Sequence, residues 1–244
     1  MMILHCGGRL SLQILKLLDK LLLQGVPLPE KTDTYTPVPF ADLVTNAQQV
    51  AENLLTDYNF VDGKYALAGK DQRMFATLTF EGDDPEMSLS LGIRSSYDKS
   101  MSNGYCFGGT ITVCDNLIFA GDFVIMRKHT KNVFEDLQKQ LVGSIYDFQT
   151  GSKFQNIVED RERMKDISVS TDDAYQFLGR MFGYGVLKAR QLTTAVNCWK
   201  NPPYAEFQSK NMWSLYNACT EALKSTPPNK IIQQHIKLHD YATA

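Results

Sequence analysis

The hydrophobic residues of this 244-residue sequence change their spacing twice, and this change limits the fold more than any other feature. Before about residue 60 and after Thr130, apolar residues recur every three or four positions, as on one face of an α-helix. Between residues 64 and 126 they alternate with polar residues, as in half-buried strands. Helices, then consecutive strands, then helices again are typical of an α+β protein.

The alternating segment predicts an antiparallel β-meander of five or six strands. Arg94 should lie on the polar face of its strand, a polar loop should cover residues 95–104, and Gly121–Asp122 should form a turn. The predicted strands are 64–68, 73–80, 87–94, 105–114, 117–119 and 123–126.

Helical spacing predicts a pair of N-terminal helices and a C-terminal helical half. The first helix is leucine-rich but interrupted by charges, so it is too short for a membrane span, and its apolar face could be core or a subunit contact. Residues 26–39 contain four prolines and should form an extended connector. The predicted helices are 9–24, 40–58, 134–148, 154–167, 171–182, 187–199, 210–223 and 230–239.

Three regions follow from this layout. Residues 1–60 hold the N-terminal helices and connector, 61–150 hold the sheet and the helix after it, and 151–244 form a helical region packed on the sheet as one unit. The charged run EDRERMKD, residues 159–166, is typical of a solvated helix face. His235 and His239 are expected as a surface pair on the last helix.

Charge and cysteine content limit the partners and the compartment. The formal net charge is −2, so binding to nucleic acid or to an anionic membrane would need a local basic patch. Five scattered cysteines without a Cys-x-x-Cys pair favour a reducing environment, and the chain is expected to be soluble and cytoplasmic.

No motif of residue types assigns a reaction. The sequence contains neither a Gly-x-Ser-x-Gly elbow nor a glycine-rich phosphate loop. Cys106, Cys114 and His129 could converge if their strands are neighbours, but the spacing of the two cysteines does not fit a zinc site. No metal or cofactor is predicted, and a site made of two turn carboxylates stays open.

Nucleic-acid binding has the best local pattern. Between residues 91 and 131 five basic residues stand against three aspartates, and two tyrosines could stack on bases. The same charges could instead protect an exposed sheet edge. The residues predicted to bind the nucleic acid are Arg94, Tyr97, Lys99, Tyr105, Arg127, Lys128 and Lys131.

Four segments resemble motifs of the domain-of-unknown-function family 932, a family of phage- and plasmid-like proteins. They are residues 97–100 (YDKS), 113–117 (VCDNL), 128–130 (KHT) and 212–223 (MWSLYNACTEAL). The resemblance covers about residues 61–223, but Tyr97 stands where the family usually has a histidine. Its most recognisable polar residues here are Asp98, Asn116 and His129.

This resemblance implies a phage or plasmid origin and a cytoplasmic location in a bacterial host, without an established activity. A weaker likeness links the architecture to the core of phage single-strand annealing proteins. The first hypothesis is an accessory protein that binds single-stranded nucleic acid, and anneals strands in DNA recombination as a homo-oligomer. The alternatives are a protein-binding module that inhibits a host defence system, and an enzyme acting on nucleotides or nucleic acid through Asp98, Asp115 and His129.

Overall fold

In the described part of the chain, one antiparallel sheet follows the chain order. The structure, a computed structural model, describes residues 16–18, 20–150 and 153–244. Six strands lie side by side in the order β1-β2-β3-β4-β5-β6, which confirms the predicted meander and the α+β class. The strands are β1 Lys16–Leu18, β2 Asn59–Ala68, β3 Arg73–Glu81, β4 Met87–Ser96, β5 Asn103–Ile111 and β6 Leu117–Arg127.

The last strand corrects the prediction of two short strands. β6 is continuous from Leu117 to Arg127, so the turn expected at Gly121–Asp122 is wrong. Instead, the register with β5 shifts between Cys106 and Gly108, which lie opposite Val124 and Phe119. The extra β6 residues between these two pairs form a bulge, and bulges favour the same small and polar residue types as turns.

The N-terminal segment also differs from its prediction. Residues 9–15 of the predicted helix 9–24 lie outside the described residues. Of the rest, Lys16–Leu18 is strand β1 on the edge of the sheet, and Lys20–Gly25 is a 3₁₀ helix. A short run of leucines fits an edge strand as well as a helix, and pairing with β2 decides between them.

Seven α-helices complete the described part of the chain. The helices predicted after the proline-rich connector are confirmed, although the first ends at Leu54 rather than at Tyr58. Ser170 caps the fourth helix, since its Oγ accepts a hydrogen bond from the Asp173 N–H at 3.1 Å. The helices are α1 Phe40–Leu54, α2 Val133–Thr150, α3 Lys153–Asp166, α4 Thr171–Gly183, α5 Ala189–Lys200, α6 Met212–Leu223 and α7 Ile231–Thr243.

Helices cover both faces of the sheet. On one face α1 and α2 pack on alternating residues of β3, β4 and β5, such as Ala76, Ile93 and Tyr105. On the other face Ile231 and Ile232 of α7 pack near Phe75, Cys106 and Phe119. Every residue of β4 and β5 is therefore buried, although β4 alternates apolar and polar residues.

The charged run in α3 is not simply a solvated face. Arg161 is 7 % exposed, and its Nη1 donates to both carboxylate oxygens of Asp84 at 2.9 Å. Lys165 lies beside Glu86 of the same acidic β3–β4 turn. A guanidinium can be buried when its hydrogen bonds to a carboxylate are satisfied in this way, so the run fastens α3 to the sheet.

The two histidines of α7 are buried, which corrects the expected surface pair. His239 Nε2 lies 3.0 Å from an oxygen of Asp160 on α3. Burial lowers the pKa of His235 to about 4. Both side chains are buried because α7 lies between the sheet and the helices α3 and α6. Within the described ranges, no helix combines the length and the apolar character that a bilayer crossing requires.

Replacing Gly108 by alanine tests how closely β5 and β6 approach each other at the bulge. A Cβ at Gly108 would meet the Ile118 carbonyl oxygen closer than real contacts allow, whereas a Cβ at Gly143 in α2 meets nothing within 4 Å. We expect Gly108→Ala to lower the free energy of unfolding by about 1–3 kcal/mol. Gly143→Ala should raise it by about 0.5–1 kcal/mol, since alanine favours helix. Urea denaturation measures both, and a neutral Gly108→Ala would contradict the close approach of the two strands.

Candidate nucleic-acid interface at one end of the sheet

Three connections of the chain meet at one end of the sheet. In an antiparallel meander every second connection returns to the same end, so the β2–β3 turn, the β4–β5 loop and the end of β6 are neighbours. The Tyr97 N–H donates to the Gln72 carbonyl at 2.7 Å and joins the first two connections. We call residues 69–73, 97–103 and 127–131 together the basic end.

The basic end concentrates positive charge. It holds six basic side chains against two aspartates, a net charge of +4, whereas the whole chain carries −2 and the remainder therefore −6. The adjoining segment 30–36 adds one basic and two acidic residues and lowers the local excess by one. The basic residues are Lys70, Arg73, Lys99, Arg127, Lys128 and Lys131, and the acidic ones are Asp71 and Asp98.

Most of these cations are accessible to a ligand. Lys99, Lys128 and Lys131 are exposed, and Arg127 is partly exposed with Nη1 donating to the Met126 carbonyl at 2.8 Å. Lys99 has a left-handed backbone conformation with φ of 60°, and its Nζ lies 4.5 Å from the centre of the Tyr35 ring. The loop therefore directs Lys99 along the surface of this end.

Asp98 is held by ionic and backbone contacts. One carboxylate oxygen accepts from Arg73 Nε at 2.6 Å, and the other accepts from the Ser100 N–H at 3.0 Å. The ion pair links the β2–β3 turn to the β4–β5 loop. Arg73 and Lys70 are not among the binding residues that the sequence predicts, because they are far from the others in the chain. The antiparallel topology nevertheless places their turn at this end of the sheet.

Arg94 is not one of the exposed cations of the basic end. It is 7 % exposed, and its Nη1 donates to Gln233 Oε1 of α7 at 2.9 Å. Burial lowers the pKa of its guanidinium. The polar face of β4 is the face that α7 covers, which the alternation of residue types could not reveal.

Tyr97 and Tyr105 are also buried, contrary to the expectation that they could stack on bases. The Tyr97 ring lies on that of Phe40, with centroids 3.8 Å apart, and its oxygen accepts from the Phe40 N–H at 3.1 Å. Burial raises the pKa of Tyr97 to about 12. Tyr105 is fully buried opposite Ile93 in the core. Tyr105 lies two residues before the apolar Phe107, so both side chains lie on the same face of the strand. This spacing was the sequence feature that indicated burial of Tyr105.

His129 closes a buried chain of hydrogen bonds. Ser95 Oγ donates to Asn103 Oδ1 at 2.6 Å, and Asn103 Nδ2 lies 3.2 Å from His129 Nδ1. His129 Nε2 lies 3.2 Å from the Met101 carbonyl oxygen and must donate to it, so Nδ1 accepts and the ring is neutral. Burial lowers the pKa of His129, which agrees with this form. Both ring nitrogens are engaged, and His129 ties the β4–β5 loop to the end of β6.

Asn116 lies at the opposite end of the sheet and joins two of the recognised motifs. Its Nδ2 donates to Asn217 Oδ1 at 3.1 Å and to the Asn217 carbonyl at 3.2 Å. The two residues line a recess with room for about one water molecule. Among the described residues, Asn116 Oδ1 and Ser214 Oγ in this recess find no hydrogen-bond partner. The arrangement fastens α6 to the β5–β6 turn.

The residues proposed for an enzyme do not converge. Asp98 lies at the basic end, whereas Asp115 lies in the β5–β6 turn with Lys64 Nζ at 2.7 Å. Cys114 also belongs to that turn, far along β5 from His129, so Cys106, Cys114 and His129 do not converge. Throughout the part of the chain that the structure describes, no three His, Cys, Asp or Glu side chains form a group that could hold a metal ion.

Comparison of the chain with protein-family models, with curated proteins and with solved structures gives no match. The likeness of the four motifs to family 932 therefore remains a resemblance. A function for this chain must therefore be inferred from the basic end, from the positions, charges and accessibility of its side chains.

The histidine bridge predicts a pH dependence of stability. His129→Ala leaves the buried Asn103 amide without its acceptor and should cost about 1–3 kcal/mol at pH 7. In the wild type, the unfolded chain binds a proton to His129 before the folded chain does, so the free energy of unfolding falls as pH drops below about 6.5. The difference between wild type and variant should therefore shrink from pH 7 to pH 5 in urea denaturation. A difference that is constant with pH would contradict a neutral buried His129.

The Asn116–Asn217 contact predicts a large effect of an isosteric change. Asn116→Asp removes both donated hydrogen bonds and places a negative charge against two oxygen atoms of Asn217. We expect a loss of about 3 kcal/mol or more in the free energy of unfolding. The same change at the exposed Asn197 of α5 should stay within about 0.5 kcal/mol. Similar losses for the two variants would show that the contact does not stabilise the fold.

Proposed function

We propose that this chain is a phage- or plasmid-encoded accessory protein that binds single-stranded nucleic acid at the basic end of its sheet. The proposal rests on one observation. Three neighbouring connections of the sheet together hold six basic side chains and only two acidic ones. The phage or plasmid origin rests on the resemblance of the four motifs to family 932.

Electrostatic attraction to phosphates is the mechanism at this end. The net charge of +4 stands against −6 on the remainder, so the field of the protein favours approach of a polyanion towards the basic end. Lys99, Lys128 and Lys131 present exposed ammonium groups, and binding them to phosphates releases counterions. This mode requires no chemical step and reads no base sequence.

The buried tyrosines alter the mechanism that the sequence predicted. Because Tyr97 and Tyr105 belong to the core, the basic end contributes phosphate contacts rather than base stacking. The buried hydrogen-bond chain through His129 then has a supporting role: it holds the β4–β5 loop against the end of β6. Lys99 and Lys128, one on each of these segments, are thereby kept on the same surface.

The basic end predicts a specific salt dependence. Changing Lys99, Lys128 and Lys131 together to glutamine removes three phosphate contacts, so the slope of log affinity against log salt should decrease by about two units. Affinity for a labelled single-stranded 20-mer should fall at least about tenfold at low salt, as measured by fluorescence anisotropy.

Lys139→Gln on α2 is the matched control, because Lys139 is also exposed but lies away from the three connections. Lys139→Gln should leave the affinity for the 20-mer and the salt slope unchanged, apart from the small effect of lowering the total charge of the protein by one. The proposal fails if the wild type does not bind at low salt, if its binding is independent of salt, or if the triple variant binds like the wild type.

A further inference from the structure

A group of exposed aromatic rings lies where α4 ends beside the C-terminal part of α7. Tyr184 and Tyr241 are 54 % and 43 % exposed and stack on each other, with ring centroids 4.8 Å apart and an interplanar angle of 17°. A ring that is stacked on one side and still about half exposed keeps surface for another flat group. We call Tyr184 and Tyr241 the aromatic platform.

The platform is held in a fixed position. The Tyr184 N–H donates to the Arg180 carbonyl at 2.8 Å, and Gly185 then adopts a left-handed conformation with φ of 71°. Val186 is fully buried, its N–H donates to the Met181 carbonyl at 2.9 Å, and its own carbonyl accepts from Gln234 Nε2 of α7 at 2.8 Å. The backbone that carries Tyr184 is therefore fixed before any ligand arrives, and the stack with Tyr241 orients its ring, which reduces the entropy cost of binding.

A cation lies one helical turn from each exposed tyrosine. Arg180 precedes Tyr184 by four positions, and Lys237 precedes Tyr241 by four on α7. Residues 174–205, which include Tyr184, hold four basic residues and no acidic residue. On the α7 side the acidic neighbours are Asp240 and Asp160, which lies 3.0 Å from His239.

We infer that the aromatic platform binds unstacked bases of single-stranded nucleic acid, with Arg180 and Lys237 contacting the adjacent phosphates. The inference rests on the proposed function and adds the stacking contact that the buried Tyr97 and Tyr105 do not supply. Exposed aromatic rings among basic side chains are the usual means of holding single strands without sequence preference. The flat faces of bases in a duplex are already stacked on each other, so the platform selects single strands.

The test separates stacking from phosphate contacts by using two ligands. One is a labelled 20-mer of thymidylate, and the other is a 20-mer of the same backbone without bases. The double variant Tyr184→Leu with Tyr241→Leu should bind the thymidylate about tenfold more weakly and the abasic strand as the wild type does. Its salt slope should stay unchanged, because no cation is removed.

Two variants serve as controls. The double change of both tyrosines to phenylalanine keeps the rings and should keep wild-type affinity. Tyr146→Leu on α2 removes a tyrosine that is 66 % exposed elsewhere and should have no effect. Thermal unfolding checks that each variant remains folded, since both platform tyrosines are largely at the surface.

Each result has a distinct meaning. If the wild type binds neither strand, the proposed function fails and the platform inference fails with it. If the wild type binds and the lysine variant is weakened but the leucine double variant is not, only the platform inference is overturned. Equal losses for the thymidylate and abasic strands would also overturn it, because the tyrosines would then not act on bases.

Discussion

Continuous antiparallel pairing from β2 to β6 is the constraint on which the rest of the structure depends. Both faces of the sheet are covered, and β4 and β5 have no exposed residue, so their backbone groups must find partners within the sheet. Pairing in chain order satisfies them. It also places alternate connections together, which brings the charged residues of 69–73, 97–103 and 127–131 to one end.

Covering the second face of the sheet requires polar side chains to be satisfied inside the protein. Arg94 is bonded to Gln233, and Ser90 lies against Thr110 of the neighbouring strand. Small residues allow close packing there, since a Cβ at Gly92 would meet the ring of Phe119 at 2.8 Å. Arg94 thus helps to position α7, whose C-terminal part carries Tyr241 of the aromatic platform.

Two surfaces with different physical properties follow from this arrangement. The basic end offers exposed cations with few aromatic groups, because its tyrosines complete the core. The aromatic platform offers exposed rings with a smaller set of cations. The proposed attraction to phosphates and the proposed stacking on bases therefore lie on different parts of the chain, and stacking itself does not depend on salt.

The sequence by itself determined the order of elements, because hydrophobic spacing is a local property. It identified the meander and the helices from Phe40 onward, and it identified Lys99, Lys128 and Lys131 as accessible cations. It could not separate a bulge from a turn near Gly121, since both need the same residue types.

Only the tertiary structure decided which polar residues are buried. Arg94, Arg161, His235 and His239 each look like surface residues in their own segments, yet each meets a partner or a packed helix far along the chain. Tyr97 fills the core beside Phe40, while Tyr184 and Tyr241 meet at the surface from distant helices. Such burial depends on what packs above a residue, and local spacing contains no information about that.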